Sequence, residues 1–378
     1  MQQTKTIYFD HNATSPLLPE IKEQMDAIAL LPLNTSSVHS YGKMAKKILE
    51  TSRANLLRSL NAPDRYQAIF TSTGTEANNI ALSGMVGYHS MATVIEHPSV
   101  LNVAKDSVIP VDVEGVVDLN KLEQLLSTHQ HPVIVSVMMA NNEVGVIQPM
   151  EEIIHICRRY KAIIHTDASQ SFGRLPIDLE KLDVDLLTMS VHKCGGPLGS
   201  AALIFKKDLR LHSIIQGGGQ EYGFRPGTVN VHAIYGLGIL CSILQKTINS
   251  FQKLRGLRDH LEYELKKISN EVIIFAQNAL RLPNTSSIAM PGVLNETQLI
   301  HFDLSGFAVS AGSACSSGKV DAPYVQMAMG YTEADAKNSI RVSLGPKNTN
   351  EEVKNFIQAW KALFLKSSIN DDKIQING

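Results

Sequence analysis

The stretch SVHKCGGP, Ser190 to Pro197, places Lys193 directly after an apolar run with the composition of a short buried strand. A lysine in a glycine-containing turn is usually a solvated surface charge, because its ammonium is strongly hydrated. In an open α/β sheet, the carboxyl ends of the strands form the edge where ligands bind. Lys193 is therefore a candidate for imine chemistry if other strand ends carry matching groups.

Asp167 ends the apolar run AIIHTDAS, one predicted strand before Lys193. An aspartate alone at this place is most often a turn or capping residue. Beside a lysine at the same edge, it has the second chemistry that pyridoxal phosphate requires. The lysine forms an imine with the cofactor, and the acid keeps the pyridine nitrogen protonated, so that the ring is an electron sink.

A phosphate needs hydrogen-bond donors, and the turn STGTEAN lies between a predicted strand and a predicted helix. Backbone N–H groups of Gly74 and Thr75 at a helix N-terminus, with the Thr75 hydroxyl, are suited to an anion. The same residues are also typical of ordinary helix capping. Ser190 and His192, on either side of the strand-to-turn junction before Lys193, are further candidate donors.

Three more side chains are expected at this edge. His97 in EHPSV is either a structural histidine or a ring that stacks on the cofactor and carries a proton. Asn142 in MANNEVG and Gln170 in DASQ are neutral amides that suit the cofactor's 3-oxygen, although each alone is typical of a turn.

Cys315 lies in SAGSACSSGKVDAPY, a run of small and polar residues that is unsuited to a hydrophobic core. A free cysteine is usually a buried and inert thiol. These surroundings instead predict a loop that brings a reactive thiol to a bound cofactor.

The composition limits the class of protein. A chain of 378 residues, 44% apolar, predicts a large domain with a smaller one, and a net charge of -1 offers no basic field for nucleic acid. The cysteines are far apart, which predicts neither a zinc site nor disulfides and favours a reducing, cytoplasmic setting. We expect neither export nor membrane insertion, although a cleaved transit peptide would leave no trace.

Strands and helices alternate through the first 250 residues, which predicts an α/β domain with a mainly parallel sheet between helices. A helix is predicted over Met44 to Leu60, and ATVIEH is predicted as a strand that ends at His97. A long helical stretch from about His232 to Ile268 is expected to bend at Gly256. The mixed pattern beyond it predicts a smaller α+β domain.

The series FDHNATSP, STGTEANN, EHPSV, MANNEVGVIQP, HTDASQSFG, SVHKCGGP, GGGQEYGFRPGT, SAGSACSSG and SIRVSLG resembles the ordered signature of the NifS/IscS-type cysteine desulfurases. These form part of the class V aminotransferase branch of the fold-type I pyridoxal-phosphate enzymes. The resemblance spans Ile7 to Phe364. It implies a seven-stranded-type sheet, an N-terminal segment 1–15 that joins the small domain, a large cofactor domain 16–250 and a small domain 251–378 that carries Cys315.

The resemblance also implies a role for each matching residue. Lys193 would form the imine, Asp167 would pair with the pyridinium nitrogen, and His97 would stack on the ring. The cofactor's oxygen and phosphate groups would be bound by Asn142, Gln170, Gly74, Thr75, Ser190 and His192, with Thr228 reaching in from a neighbouring subunit. Substrate would be bound by Arg341, whose guanidinium suits a carboxylate, together with Asn12 and Asn142.

The implied reaction converts L-cysteine to L-alanine, with the sulfur held as a persulfide on Cys315 and then passed to an acceptor protein. The acceptor would serve iron–sulfur cluster, thio-cofactor or tRNA-thiolation chemistry, and the enzyme would be a homodimer without direct nucleic-acid or membrane contact. No metal ligand is implied.

One motif departs from the family pattern, because HKCGGPLG has Leu198 where the family usually has a lysine. This departure leaves every proposed catalytic group in place. It nevertheless keeps open a scaffold or regulatory relative with weakened catalysis. A selenocysteine lyase, which would use nearly the same residues, is the other alternative.

Overall fold

The computed structural model describes residues 6–312 and 323–376. Its strands are β1 Ile7–Tyr8, β2 Tyr66–Thr71, β3 His89–Thr93, β4 Ser107–Ile109, β5 Val133–Ser136, β6 Ile163–Asp167, β7 Leu186–Ser190, β8 Ala201–Lys206, β9 Ile273–Ile274, β10 Thr285–Ala289, β11 Phe307–Ala308 and β12 Ser339–Ser343. Its helices are α1 Pro19–Asp26, α2 Ser40–Ser59, α3 Gly74–Ser83, α4 Pro98–Leu101, α5 Leu119–Thr128, α6 Met150–Arg159, α7 Leu179–Leu182, α8 Val231–Ser242, α9 Leu244–Gln252, α10 Arg255–Ile268, α11 Asn295–Leu304, α12 Tyr324–Ala328, α13 Glu333–Lys337 and α14 Asn350–Ile376.

A seven-stranded sheet in the order β2-β8-β7-β6-β5-β3-β4 forms the centre of the molecule. The pairs β7–β6, β6–β5, β5–β3 and β3–β4 are parallel, and β8 is antiparallel to both of its neighbours. Parallel strands between two helical layers are buried on both faces, and β5 and β7 are accordingly buried along their whole length. The predicted α/β class with a mainly parallel sheet is confirmed.

Two smaller sheets lie beside the central sheet. Strand β10 pairs antiparallel with β12 and with β9. Strand β1, close to the N-terminus, pairs in parallel with β11. The chain therefore places residues 7–8 next to residues 307–308, and Asp10 forms an isolated parallel bridge with Ser343.

Helix α6 illustrates how the local sequence produces these layers. Its apolar side chains recur at helical spacing and are buried against the sheet, where Ile153 and Cys157 have no exposed surface. Acidic residues occupy its first turn and basic residues its last turn, which matches the sign of the helix dipole at each end. The strand that follows it, β6, carries Asp167 to the sheet edge.

The helical stretch predicted from about His232 to Ile268 bends at a different residue from the one predicted. The bend of 66° lies at Ile243, between α8 and the pair α9–α10, whereas Gly256 lies inside α10 with open space around it. A single exposed glycine weakens a helix by about 1 kcal/mol without ending it. The break instead separates α8, which is buried on most sides, from the amphipathic α9.

Two other element boundaries also differ from the predictions. Strand β3 ends at Thr93, so ATVIEH is mostly turn and His97 begins a helix rather than ending a strand. Helix α2 begins four residues before Met44, where the His39 side chain accepts the backbone N–H of Gly42. Within the described ranges, no single helix is long and apolar enough to cross a membrane, although the bent α8 to α10 pair meets the length and composition criteria together.

Candidate active site

A cavity of about 480 Å³ opens at the carboxyl edge of the central sheet. The predicted site residues that line it are Asn12, Gly74, Thr75, His97, Asn142, Asp167, Gln170, Ser190, His192, Lys193 and Arg341. Thr228 is exposed and does not line the cavity of its own chain. Cys315 lies outside the described residues, between Gly312 and Pro323.

Lys193 lies in a single 3-10 turn, Val191–Cys194, that follows β7 directly. The residues before α1 hold this turn: the backbone N–H of Ser15 donates to the His192 carbonyl at 2.7 Å, and the Ser15 hydroxyl donates to the Lys193 carbonyl at 2.9 Å. Gly195 closes the turn with a φ of +94°, in the left-handed region that favours glycine. The lysine is thus carried by a fixed backbone.

Asp167 ends β6, the neighbour of β7, and its side chain is buried. Burial opposes its charged form, but the nearby Lys193 ammonium and hydrogen bonds from Ser169 and Asn78 hold the pKa of Asp167 below its ordinary value. The Asn78 amide donates to Oδ2 and the Ser169 backbone N–H to Oδ1, both at 2.9 Å. Asp167 is therefore an aspartate that stays negative inside the protein.

His97 is the N-cap of α4, and its Nδ1 accepts the backbone N–H of Ser99 at 3.1 Å. The Ser99 hydroxyl lies 2.8 Å from the same nitrogen. Burial and the Lys193 ammonium lower the pKa of His97, against the opposing charge of Asp167. A neutral imidazole that accepts at Nδ1 carries its proton on Nε2, so the tautomer is set by the helix cap.

The N-terminus of α3 forms another wall of the cavity. Thr73 caps this ten-residue helix, which leaves the N–H groups of its first turn, including those of Gly74 and Thr75, without partners inside the helix. A Cβ at Gly74 would lie 3.2 Å from the Ser169 hydroxyl and 3.6 Å from the Ser190 Cβ. Glycine therefore lets the helix N-terminus approach two serines closely, in an arrangement suited to a phosphate.

The side-chain amides of Asn12 and Gln170 are both hydrogen-bonded within the protein. The Asn12 Nδ2 donates to the Asn142 carbonyl and to Thr285 Oγ1, which uses both of its hydrogens. The Gln170 amide donates to the Asn12 carbonyl and accepts from Arg174. By contrast, the side-chain oxygen of Asn142 is buried at the cavity and has no hydrogen-bond partner among the residues that the structure describes.

Arg341 projects from β12 into the same cavity. Its Nη2 donates to Asp10 Oδ1 at 2.7 Å and its Nη1 to the Asn142 carbonyl at 3.0 Å. Nearby, burial raises the pKa of Glu143 to about 7, although the Arg341 charge opposes that shift. Two acidic side chains therefore lie near the Arg341 guanidinium.

Gly312 and Tyr324, which lie on either side of the stretch that contains Cys315 in the sequence, both line this cavity. The Tyr324 hydroxyl donates to the carbonyl of Glu96, the residue before His97. The other three cysteines are buried, and burial raises the pKa of each thiol to about 12. They are therefore protonated thiols at neutral pH.

The structure adds residues that the sequence analysis missed. Asn78 follows Gly74 by four positions and so lies on the same helix face, which is a signal that could have identified it. Arg174 follows Gln170 by four positions and donates to Asn12, Gln170 and the carbonyls of His11 and Lys193. Nothing local indicates that Asp10 would meet Arg341, since 331 positions separate them.

Known proteins resemble this chain in both sequence and fold. The family model described as aminotransferase class-V matches residues 7–356. The cysteine desulfurase IscS of Dictyoglomus turgidum is 35% identical over 366 residues, which cover 92% of each chain. The crystal structure of a NifS-like protein from Rickettsia africae superposes with a TM-score of 0.89 at 39% identity, over 95% of this chain and 99% of that one. The structure of SspA in complex with cysteine gives a TM-score of 0.75 at 27% identity, over 91% and 100% of the two chains.

Proposed function

The chain belongs to the aminotransferase class-V family, and from this premise we propose that it is a pyridoxal-phosphate-dependent cysteine desulfurase that converts L-cysteine to L-alanine. One observation carries the proposal beyond the family. Lys193 and a negatively charged Asp167 follow neighbouring parallel strands and line one cavity with the N-terminus of α3. Amine, buried carboxylate and anion site are the three groups that this cofactor requires.

The residues present fit pyridoxal phosphate. Lys193 would hold its aldehyde carbon, Asp167 its pyridine nitrogen, and Gly74, Thr75, Ser190 and His192 its phosphate. The unpartnered amide oxygen of Asn142 marks a polar position at the cavity that a ligand or water is expected to satisfy, and Gln170 lies nearby on the side proposed for the 3-oxygen. When bound, the cofactor supplies an electron sink for carbanions at the substrate's α and β carbons.

Side chains of the cavity would hold the charge, transfer the protons and bind the substrate in the proposed reaction. Asp167 stays ionised because Lys193, Ser169 and Asn78 offset its burial, so it can keep a neighbouring ring nitrogen protonated. His97, with its proton on Nε2 and a lowered pKa, is suited to stack as a neutral ring and pass a proton at that atom. Arg341 would bind the substrate carboxylate. Asn12 would position Asn142, because its side-chain amide donates a hydrogen bond to the Asn142 carbonyl.

Sulfur transfer requires a thiol that can carry the sulfur atom out of the cavity as a persulfide, and we assign this role to Cys315. The carbon–sulfur bond of L-cysteine breaks and a sulfur–sulfur bond to Cys315 forms. The substrate sulfur and the thiol are oxidised together by two electrons, and the carbon that becomes the alanine methyl group is reduced by two. The products are L-alanine and a persulfide. Support comes from Gly312 and Tyr324, which lie on either side of the Cys315 stretch in the sequence and both line the cavity, and from the burial of the other thiols.

The enzyme would act as a homodimer. Thr228 is exposed and lies away from its own cavity, so Thr228 of the partner subunit would complete the phosphate site. Exposed apolar side chains that a subunit interface could bury occur along residues 30–44 and 214–222, and they include Leu30, Val38, Tyr41, Ile214, Ile215 and Tyr222. The persulfide would then pass to a sulfur-acceptor protein.

A single-turnover experiment with L-cysteine tests the proposal. Alanine release together with persulfide mapped to Cys315 by peptide mass is the expected result. Cys315→Ala should bind the cofactor normally and form no persulfide, whereas the control Cys157→Ala, which removes a buried thiol, should form it as before. Persulfide formation in the Cys315→Ala protein would assign the sulfur to another residue. Selenide release from selenocysteine without cysteine turnover would instead identify a selenocysteine lyase.

A further inference from the structure

The guanidinium proposed to bind substrate already binds a carboxylate of its own chain. Arg341 donates from Nη2 to Asp10 Oδ1 at 2.7 Å, while its Nε has no hydrogen-bond partner in the described part of the chain. The side chain of Arg341 is 8% exposed and that of Asp10 is 20% exposed. A second anion at the same guanidinium would therefore meet a positive charge that is largely neutralised.

The backbone fixes both partners of this ion pair. Asp10 forms a parallel bridge with Ser343, and its carbonyl accepts the backbone N–H of Ala13 and the hydroxyl of Tyr8. Arg341 lies in the middle of β12, opposite Ser287, and forms a bridge with Ser310. The Asp10 carboxylate can leave the guanidinium only by side-chain rotation, and its partial exposure at the cavity gives it room to rotate.

The charges near Arg341 indicate that Asp10 competes with a substrate carboxylate rather than only holding Arg341 in place. Glu143 is a second acidic side chain near Arg341, and its buried Oε2 has no partner among the described residues. A substrate carboxylate would be a third acidic group near Arg341, where the Arg174 guanidinium is a second cation. The Asn142 carbonyl already orients the guanidinium through Nη1, so Asp10 is not needed to keep Arg341 in place.

We propose that Asp10 is a specificity-determining residue that occupies Arg341 in the absence of substrate and competes with the substrate carboxylate. This inference rests on the proposed function of Arg341. A ligand with a carboxylate competes with Asp10 for the guanidinium, whereas an amine or thiol without one leaves the ion pair intact. Asp10 therefore moderates the preference of the cavity for amino acids and keeps carboxylate binding weak enough for alanine to leave.

Propionate, which has a carboxylate but neither amine nor thiol, is the probe for this competition. In the cofactor-loaded enzyme, Asp10→Asn keeps the shape and an acceptor oxygen but removes the charge. Propionate affinity, measured by calorimetric titration at constant ionic strength, should rise roughly fivefold to tenfold, as expected for one uncompensated charge-assisted pair. Asp26→Asn, a matched change in an exposed aspartate, should leave the affinity unchanged. An equal affinity in Asp10→Asn would overturn the proposal because Asp10 would then not compete, and a weaker affinity would overturn it because Asp10 would then support Arg341.

A double-mutant cycle separates this inference from the proposed function. In an Arg341→Lys background, Asp10→Asn should no longer raise propionate affinity by the same factor, because the bidentate group is gone. An undiminished gain there would mean that Asp10 acts as a general negative charge, which also contradicts the proposal. Propionate binding does not depend on desulfuration, so an enzyme that bound propionate as expected but released no alanine would contradict only the proposed function.

Discussion

The cavity has two halves that are held in different ways. The cofactor half, Gly74, His97, Asp167 and Lys193, lies at the ends of central strands or the starts of the helices that follow them. The substrate half, Asp10, Glu143 and Arg341, joins residues from opposite ends of the chain through β12 and the N-terminal segment. In the first half the Asp167 carboxylate is held by fixed hydrogen bonds, and in the second half two acidic groups lie near the Arg341 guanidinium. The first half is therefore suited to hold a permanent group and the second to exchange ligands.

Replacing Lys193 should have the largest effect, and only on the cofactor half. Lys193→Ala removes the amine that binds the cofactor covalently, so the visible absorbance of lysine-bound cofactor should disappear. Arg341→Ala should keep this absorbance and lose substrate binding. An unchanged spectrum in Lys193→Ala would refute the lysine assignment.

Asp167→Asn should leave the cavity shape intact and remove the buried negative charge that the cofactor half supplies. We expect kcat to fall by roughly 10²–10³-fold, the usual effect of losing one preorganised electrostatic group. The measurement is alanine release at saturating L-cysteine, with Asp26→Asn as the matched control. A loss confined to KM would place Asp167 in substrate binding instead.

Arg174 connects the two halves, because its guanidinium donates to the Lys193 carbonyl and to the backbone and side chain of the N-terminal segment. Arg174→Met should lower the free energy of unfolding by about 3 kcal/mol, since buried carbonyls lose charge-assisted partners. Urea denaturation measures this loss, and Arg65→Met, at an exposed ion pair that solvent screens, should cost much less. Equal losses in the two variants would contradict the linking role.

Glu143 should show the smallest effect, visible as a pH dependence of the substrate half. Burial raises the pKa of Glu143 to about 7, so between the ordinary glutamate pKa and 7 the folded state holds a proton that the unfolded state has lost. Stability therefore falls as pH rises through that interval. Glu143→Gln removes this loss and should gain about 2 kcal/mol relative to the parent protein between pH 5 and pH 8. A parallel pH profile for both proteins would show that Glu143 is ionised in the fold.

The cofactor half was largely predictable, because strand periodicity places Asp167 and Lys193 at one edge and the Gly74 turn marks a helix start. The substrate half was predictable only through family resemblance for Arg341, and its partner Asp10 was missed because the pairing depends on a contact across 331 positions. The bend expected at Gly256 was wrong because glycine lowers helix stability without specifying where packing ends a helix. The domain boundaries and the individual residue roles remain predictions.

The N-terminal segment has a consequence for the order of events during synthesis. Residues 7–15 are synthesised long before some of their partners, which are Phe307, Arg341 and Ser343. The central sheet, complete at residue 206, can form while Ile7 and Asp10 still lack these partners. The turn that carries Lys193 can bond Ser15 as soon as it is synthesised, but Asp10 can meet Arg341 only after β12 has been synthesised. Docking of Asp10 against β12 is therefore expected to be a late step in the maturation of the enzyme.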